Sequence, residues 1–303
     1  MDLITTNELC KVYGHKMVID HVNMHIPEQS IYGFVGENGS GKTTIMRLLT
    51  GLAEPSGGSF TLCGVKNTDR KIYQVRQQLS AIVEATSLVP TMTAKENMIY
   101  QELYLGLKLS EEERDDLLKK VHLEDVGNKK VKNFSLGMRQ RLGIALSLIN
   151  KPKLMLLDEP MNGLDPEGIA ELRDLLINLN KTDGITVLIS SHILSELEKI
   201  ASCYGFISKG KIIEEISAEE LQSRCRKSLN LKVDDTEKAE ALLKKLKILD
   251  YKVFPNGDVK IYDNVTISDT VAAFAKEGIA VLGINSSEES VEEYYLNLIK
   301  EAE

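Results

Sequence analysis

The order of apolar and polar positions divides the chain into stretches of different period. From residue 2 to 35, apolar side chains (Leu3, Val12, Val18, Ile19, Val22, Met24, Ile26) are interleaved with polar ones and punctuated by Gly14 and Pro27, which predicts short antiparallel strands. A compact apolar run follows at Ile31, Tyr32, Phe34 and Val35, then a turn of Gly, Asn and Ser, then helical spacing at Ile45, Leu48 and Leu49. This reads as strand, loop, helix. Gly51 and Pro55 end that helix, and Ser56 to Val65 predicts another strand. From about Glu84 to Phe134 the pattern becomes helical, with capping boxes at Thr93/Glu96 and Ser110/Glu113. In the next segment Ser135 stands as an N-cap before a buried stripe of Leu142, Ala145, Leu146 and Ile149. Leu154 to Leu157 is apolar on both faces, the mark of a central parallel strand. Pro166 opens a helix towards Asn180, and Thr186 to His192 predicts a further buried strand.

The turn after Val35 carries chemistry. Gly36, Gly41, Lys42 and Thr43 have the spacing of a phosphate-binding loop, G-x-x-x-x-G-K-[ST]. Glycines let the backbone curl until successive N–H groups face phosphate oxygens, and the following helix presents its positive end to the same point. Lys42 adds charge at the outer phosphates, and the Thr43 hydroxyl is placed to ligate Mg²⁺. At the carboxyl end of the second apolar strand stand Asp158 and Glu159, where one carboxylate can hold a metal and the other polarise a water as general base. His192 falls just past the third such strand, at the same predicted sheet edge. Ser135 and Gly137 leave backbone exposed in the first turn of their helix, a second place suited to an anion, although a plain capped core helix has the same pattern.

Composition narrows the classes. The chain has 303 residues, 43% of them hydrophobic, enough for one large or two ordinary domains. No apolar run approaches the ~18 residues of a membrane span, and the N-terminus has no basic start followed by an apolar core, so no secretory leader is expected. A net charge of -8 argues against broad nucleic-acid binding. Cys10, Cys63, Cys203 and Cys225 form no C-x-x-C pair, so buried reduced thiols are expected rather than a disulfide frame or zinc site.

Taken together, GENGSGKTT, FSLGMRQR, LLDEP, NGLD and SSH, in that order, resemble the ATP-binding subunit of an ABC transporter over about residues 2 to 215. The resemblance implies an α/β fold: a P-loop NTPase (RecA-like) core with an antiparallel β-subdomain and a helical subdomain at about 84–150, in an ATP-binding domain of residues 1–216. It implies ATP and Mg²⁺ as ligands. Tyr13 would stack on adenine; Gly36, Glu37, Asn38, Gly39, Ser40, Gly41, Lys42, Thr43 and Thr44 would hold the phosphates, with Thr43 on Mg²⁺. Asp158 would be the second Mg²⁺ contact, Glu159 the general base and His192 the γ-phosphate sensor. Asp165, in the NGLD turn, falls among the ATP contacts. A head-to-tail homodimer is implied, in which Ser135 and Gly137 reach the ATP held by the partner's phosphate loop. So is a separate membrane permease, which puts the chain at the cytoplasmic face of the membrane as a peripheral subunit.

Two positions depart from the family pattern. The signature LSGGQ is here FSLGM, with Leu136 at its third position and Met138 at its fifth. Where most members have Gln, this chain has Glu84, whose charge near Mg²⁺ and the γ-phosphate would strengthen a metal-water contact and also repel phosphate oxygens. Glu84, SLGMRQRLGIA and the C-terminal extension are similar to the bacitracin-export and lantibiotic-immunity subgroup, which implies expulsion of peptide antibiotics and gives Glu84 a metal or coupling role. The alternative is a soluble ABC ATPase of translation or DNA repair. One phosphate loop, one signature and no heptad stretch disfavour it.

Residues 217–303 carry no catalytic cluster. A strand at Leu229, Leu231 and Val233, a helix over Glu237 to Leu249, a hairpin in Tyr251 to Tyr262 turned at Pro255, Asn256 and Gly257, a helix over Ser268 to Lys276, a strand over Ile279 to Ile284 and a last helix over Ser290 to Lys300 predict a small α+β, ferredoxin-like accessory domain. A packing or dimer-contact module is expected there rather than a ligand sensor.

Overall fold

The computed structural model describes every residue except Ala85, Arg226, Pro255, Asn264, Glu289 and Glu303. Internal contacts divide the chain into a unit of Met1–Ala218 and a unit of Glu219–Glu301.

The first unit opens with two strands of 12 residues each, β1 (Asp2–Tyr13) and β2 (Lys16–Pro27), turned at Gly14. They are fewer and longer than the short strands expected, because irregular registers let β1 bend while its apolar positions stay inward. Then come β3 (Ile31–Val35), α1 (Lys42–Thr50), β4 (Gly57–Leu62), β5 (Val65–Lys66), α2 (Ile72–Arg76) and β6 (Leu79–Ile82). Helices α3 (Ala94–Leu105) and α4 (Glu111–Lys120) begin at the capping boxes of Thr93 and Ser110, each with both reciprocal bonds formed. Helix α5 (Leu136–Leu148), β7 (Leu154–Asp158), α6 (Pro166–Asp183), β8 (Thr186–Ser191) and α7 (Leu194–Leu197) lead into β9 (Cys203–Ser208) and β10 (Lys211–Ser217).

Strands β2-β1-β4-β5 form one antiparallel sheet, and β10-β9-β3-β8-β7-β6 form the central one. In the central sheet β9, β3, β8, β7 and β6 are parallel and only β10 runs against its neighbour. Strands β3 and β8 are buried at every position, as a sheet covered on both faces requires. Parallel direction fixes the site: Val35 is level with Ser191, and Asp158 with Ser190, so the phosphate loop, the two carboxylates and His192 leave one edge together. One close approach sustains the sheet. A Cβ on Gly205 of β9 would lie 2.0 Å from the Tyr32 hydroxyl, so only glycine leaves room for that buried ring. The phenol donates to Glu215 of β10 at 2.7 Å, and burial raises its pKa well above the usual value.

The second unit holds α8 (Ala218–Arg224, all but its first residue), β11 (Lys227–Val233), α9 (Thr236–Lys245), β12 (Tyr251–Val253), β13 (Asp258–Ile261), α10 (Ile267–Lys276), β14 (Val281–Glu288) and α11 (Val291–Ala302, all but its last residue). Its strands pair antiparallel in the order β12-β13-β11-β14, the β-α-β-β-α-β arrangement of a ferredoxin-like sandwich. The core is Leu229, Leu231, Leu243, Val259, Ile261 and Phe274 with their neighbours. Helix α9 stops at Lys245 and not at Leu249, because Lys247 turns to φ 58° and Ile248 bonds back to Leu243. The expected hairpin turn includes Pro255, which lies outside the described residues. All four cysteines are free; Cys10 is buried as expected, whereas Cys63, Cys203 and Cys225 are only half-buried, which corrects the expectation of buried thiols at those three.

Candidate functional site

The loop between β3 and α1 is shaped by backbone conformations that L side chains rarely adopt. Gly39 has φ 81°, and Gly41, which caps α1, has φ 117°. A Cβ on Gly36 would stand 2.5 Å from both the Ile207 carbonyl and the Ser40 hydroxyl. The Ser40 hydroxyl is itself buried without a hydrogen-bond partner among the described residues. A buried, unpaired hydroxyl in a loop that leads into a helix N-terminus is what a phosphate would satisfy. Lys42 is only 6% exposed, and its Nζ donates to the carbonyls of Gly36 (2.5 Å) and Glu37 (3.2 Å).

Across the sheet edge the carboxylates are tied to this loop. Thr43 Oγ1 donates to Asp158 Oδ2 at 2.7 Å. Glu159 sits between two basic side chains, with Oε1 3.4 Å from Lys42 Nζ and Oε2 2.7 Å from His192 Nδ1; the His192 peptide N–H adds a 3.3 Å bond to Oε2. Oε1 has a cation in reach but no hydrogen bond of acceptable geometry among the described residues. That leaves an acceptor available to a donor such as water.

Sequence reasoning did not single out Ser190. Its hydroxyl donates to Asp158 Oδ1 at 2.6 Å and accepts the Glu159 peptide N–H at 2.9 Å, from a position with 0% exposure. Glu159 has φ 49°, a conformation uncommon for a side chain of this size. One hydroxyl therefore fixes both neighbouring carboxylates. The available signal was a polar residue inside a strand buried on both faces, level with Asp158.

Other expected residues lie apart from this centre. Tyr13 ends β1, is 44% exposed, and has Lys11 Nζ 4.8 Å from its ring centroid. Ser135 is exposed and caps α5 by accepting the Met138 N–H at 3.2 Å. Gly137 meets nothing closer than ordinary contact. Leu136 lies against the NGLD turn, 3.2 Å from where a Cβ on Gly163 would stand, so the larger residue at that signature position is accommodated by a glycine. The Asp165 carboxylate caps α6 through the Gly168 N–H at 3.0 Å. Glu84, at φ 70° just past β6, forms an ion pair with Arg47 of α1. Glu84, Asp158, Glu159, Leu136, Arg139 and Gln140 line a common cavity of about 790 Å³.

The donor set suits a divalent cation bound together with phosphates. No group of three His, Cys, Asp or Glu side chains able to hold a metal exists among the described residues. A hydroxyl and one carboxylate, Thr43 and Asp158, is the sparse protein contribution typical of Mg²⁺ bound with nucleotide. The parts together can cradle a polyphosphate, present a carboxylate to a water, and hold that carboxylate with a lysine and a histidine.

Similarity to known proteins settles the family. Residues 19–162 match the model of the ABC transporter family. Over 299 residues the chain is 40% identical to the Bacitracin transport ATP-binding protein BcrA of Bacillus licheniformis, covering 98% of this chain and 97% of that protein. The chain belongs to the ABC transporter ATP-binding family. It is the ATP-binding, ATP-hydrolysing subunit of such a transporter, and the soluble alternative is not favoured. The Lantibiotic transport ATP-binding protein SrtF of Streptococcus pyogenes is 45% identical over 213 residues, 70% of this chain and 90% of that protein. An ATP-binding cassette solved as a dimer in a post-hydrolysis state with ADP and Pi superposes with a TM-score of 0.63 at 26% identity, covering 71% of this chain and 98% of that one. No helix among the described residues is long and apolar enough to cross a membrane.

Proposed function

We propose that this subunit drives a separate membrane permease that expels peptide antibiotics of the bacitracin or lantibiotic type. The observation that carries this reading is the near full-length similarity to a bacitracin transport protein, which extends through the C-terminal unit as well as the ATP-binding one. On this reading the chain works at the cytoplasmic face of the membrane as a head-to-tail homodimer. The phosphate loop Gly36–Thr44 holds ATP, Tyr13 packs on its base, and Ser135 and Gly137 complete the site from the partner protomer. Asp165 joins them through the turn it caps. Residues 1–216 form the ATP-binding domain, with its helical subdomain at about 84–150, and residues 217–303 form an accessory module.

Thr43 and Asp158 are the residues that would hold Mg²⁺, which when bound neutralises charge on the phosphates. The other steps belong to side chains already in place. Lys42 meets the outer phosphates, giving up carbonyl contacts to do so. Glu159 Oε1 accepts a proton from the attacking water, while His192 and Lys42 hold the carboxylate in position and His192 reads the terminal phosphate. Support for these roles lies in the 2.7 Å Thr43–Asp158 and Glu159–His192 contacts and in the unpartnered Ser40 hydroxyl and Glu159 oxygen.

The test is Glu159→Gln. ATP binding should persist while hydrolysis falls about 10²–10⁴-fold, the usual worth of a general base. Tagged Glu159→Gln protein, purified from native membranes with ATP present, should bring down a polytopic membrane protein, and cells lacking the pair should become sensitive to bacitracin or a lantibiotic. Unchanged turnover removes Glu159 from its role; recovery of ribosomes or DNA in place of a permease overturns the transport reading.

A further inference from the structure

We propose that Arg47 is the counter-charge that makes a glutamate tolerable at position 84, and that nucleotide affinity depends on this pair. The inference rests on reading the site as an ATP site.

Glu84 belongs to the reacting edge. Strand β6 runs parallel to β7 with Ile82 level with Leu157, so Glu84 emerges two residues later beside Asp158 and Glu159, and all three carboxylates line the same cavity. Three negative groups facing a polyphosphate would repel it unless each is matched. Each has a partner in the structure. Lys42 faces Glu159 and Arg47 pairs with Glu84, whereas Asp158 is held by the neutral hydroxyls of Thr43 and Ser190 and is the carboxylate whose charge Mg²⁺ would match. Thr43 and Arg47 are four residues apart on α1 and share one face, about 5–6 Å between Cβ atoms. The Arg47–Glu84 pair therefore stands roughly one helical turn from the Thr43–Asp158 pair, close enough for an unmatched charge to be felt at the phosphates.

The pair is not a stability device. Arg47 and Glu84 are 38% and 60% exposed, a setting in which ion pairs contribute little to folding. Glu84 nevertheless holds its backbone at φ 70°, which directs the residue to one side of the turn. What the pair changes is local charge. With Arg47 present, position 84 is close to neutral, as it would be with glutamine; without Arg47 it is a bare carboxylate.

The test is a charge cycle read by calorimetric binding of a non-hydrolysable ATP analogue, with and without Mg²⁺, alongside thermal unfolding. Arg47→Gln should weaken binding about 5- to 10-fold, and Arg47→Lys should retain it, as expected for a unit charge acting over roughly 6–9 Å of partly screened space. Glu84→Gln should bind as well as the parent or tighter. The double variant Arg47→Gln with Glu84→Gln should return to within about twofold of the parent, because the two changes share one interaction. Unchanged binding in folded Arg47→Gln, or a double variant as weak as Arg47→Gln, overturns the proposal. If Arg47→Gln does not fold, weaker binding in Glu84→Gln overturns it. Lys42→Ala separates the two readings: loss of binding there upholds the ATP site whatever Arg47 does, and normal binding there takes the ATP-site reading down.

Discussion

Ser190→Ala is the most informative single change in the site, because Ser190 is placed to touch neither nucleotide nor water and yet holds both carboxylates. The substitution removes one charge-assisted bond, to Asp158 Oδ1 at 2.6 Å, and one neutral bond, from the Glu159 N–H at 2.9 Å. The first is worth about 1.5–3 kcal/mol and the second about 0.5–1.5 kcal/mol, so stability should fall by about 2–4 kcal/mol. In a unit of this size each kcal/mol lowers Tm by roughly 2–4 °C, which puts the unfolding transition about 4–16 °C lower. Activity should fall by more than stability implies. Glu159 is held at φ 49° by that N–H bond, and once released its carboxylate drifts; a displacement of about 1 Å at a reacting group costs on the order of 10²-fold. The assay is steady-state ATP turnover at a temperature where the variant is folded, with circular dichroism as the folding check. The expected outcome is a kcat lower by about 10- to 100-fold with KM changed less, and little further loss when Glu159→Gln is added, since both changes remove one function. A folded Ser190→Ala variant with parental kcat would refute the positioning argument.

The remaining predictions concern what holds the site's scaffold. Arg114→Met strands Glu102, which is 2% exposed and bound by the Arg114 guanidinium at 2.7 and 2.8 Å and the Leu109 N–H at 3.0 Å; breaking such a buried pair from one side should destabilise the α3–α4 region by about 3–5 kcal/mol in urea unfolding. The same pair carries a pH signature. Arg114 holds the Glu102 carboxyl below its usual range, and Lys130 together with the Thr93 peptide N–H lowers Glu96 to about 2. Groups depressed in the folded state contribute stability above their unfolded pKa and lose it as pH falls through the folded one. Stability should therefore decline below about pH 4.5, and the gap between parent and Arg114→Met should narrow there; a gap independent of pH would exclude the linkage. Gly205→Ala should cost about 1–3 kcal/mol by crowding the Tyr32 hydroxyl, and Tyr32→Phe, which removes the atom at 2.0 Å, should restore part of the loss in chemical denaturation.

How far the sequence could be read follows from where each signal resides. Residues whose role depends on local backbone were legible: the phosphate loop announces itself through glycine positions, Thr93, Ser110 and Ser135 each cap the helix that their spacing implies, and Pro166 opens the helix expected of it, which the structure shows capped by Asp165. The order of β-α-β-β-α-β elements was also legible in the second unit, since alternation and helical period persist there within each short segment. Strand β10 escaped notice although it follows β9 across the two-residue turn Lys209–Gly210, a local hairpin signal; β6 and β9 escaped because their parallel neighbours in the sheet lie far along the chain. The same cause hid the finer parts of the site. Ser190 matters because β7 and β8 run level, Gly205 because Tyr32 of another strand needs its space, and Arg47 because Glu84 arrives from β6 onto the face of α1. Each is ordinary in sequence and becomes specific only when parallel strands bring distant segments to one edge. Glu84 shows both limits at once. Its departure from glutamine was visible as a charge without a match, and the match, four residues beyond Thr43, could be recognised only after the fold had placed the two together.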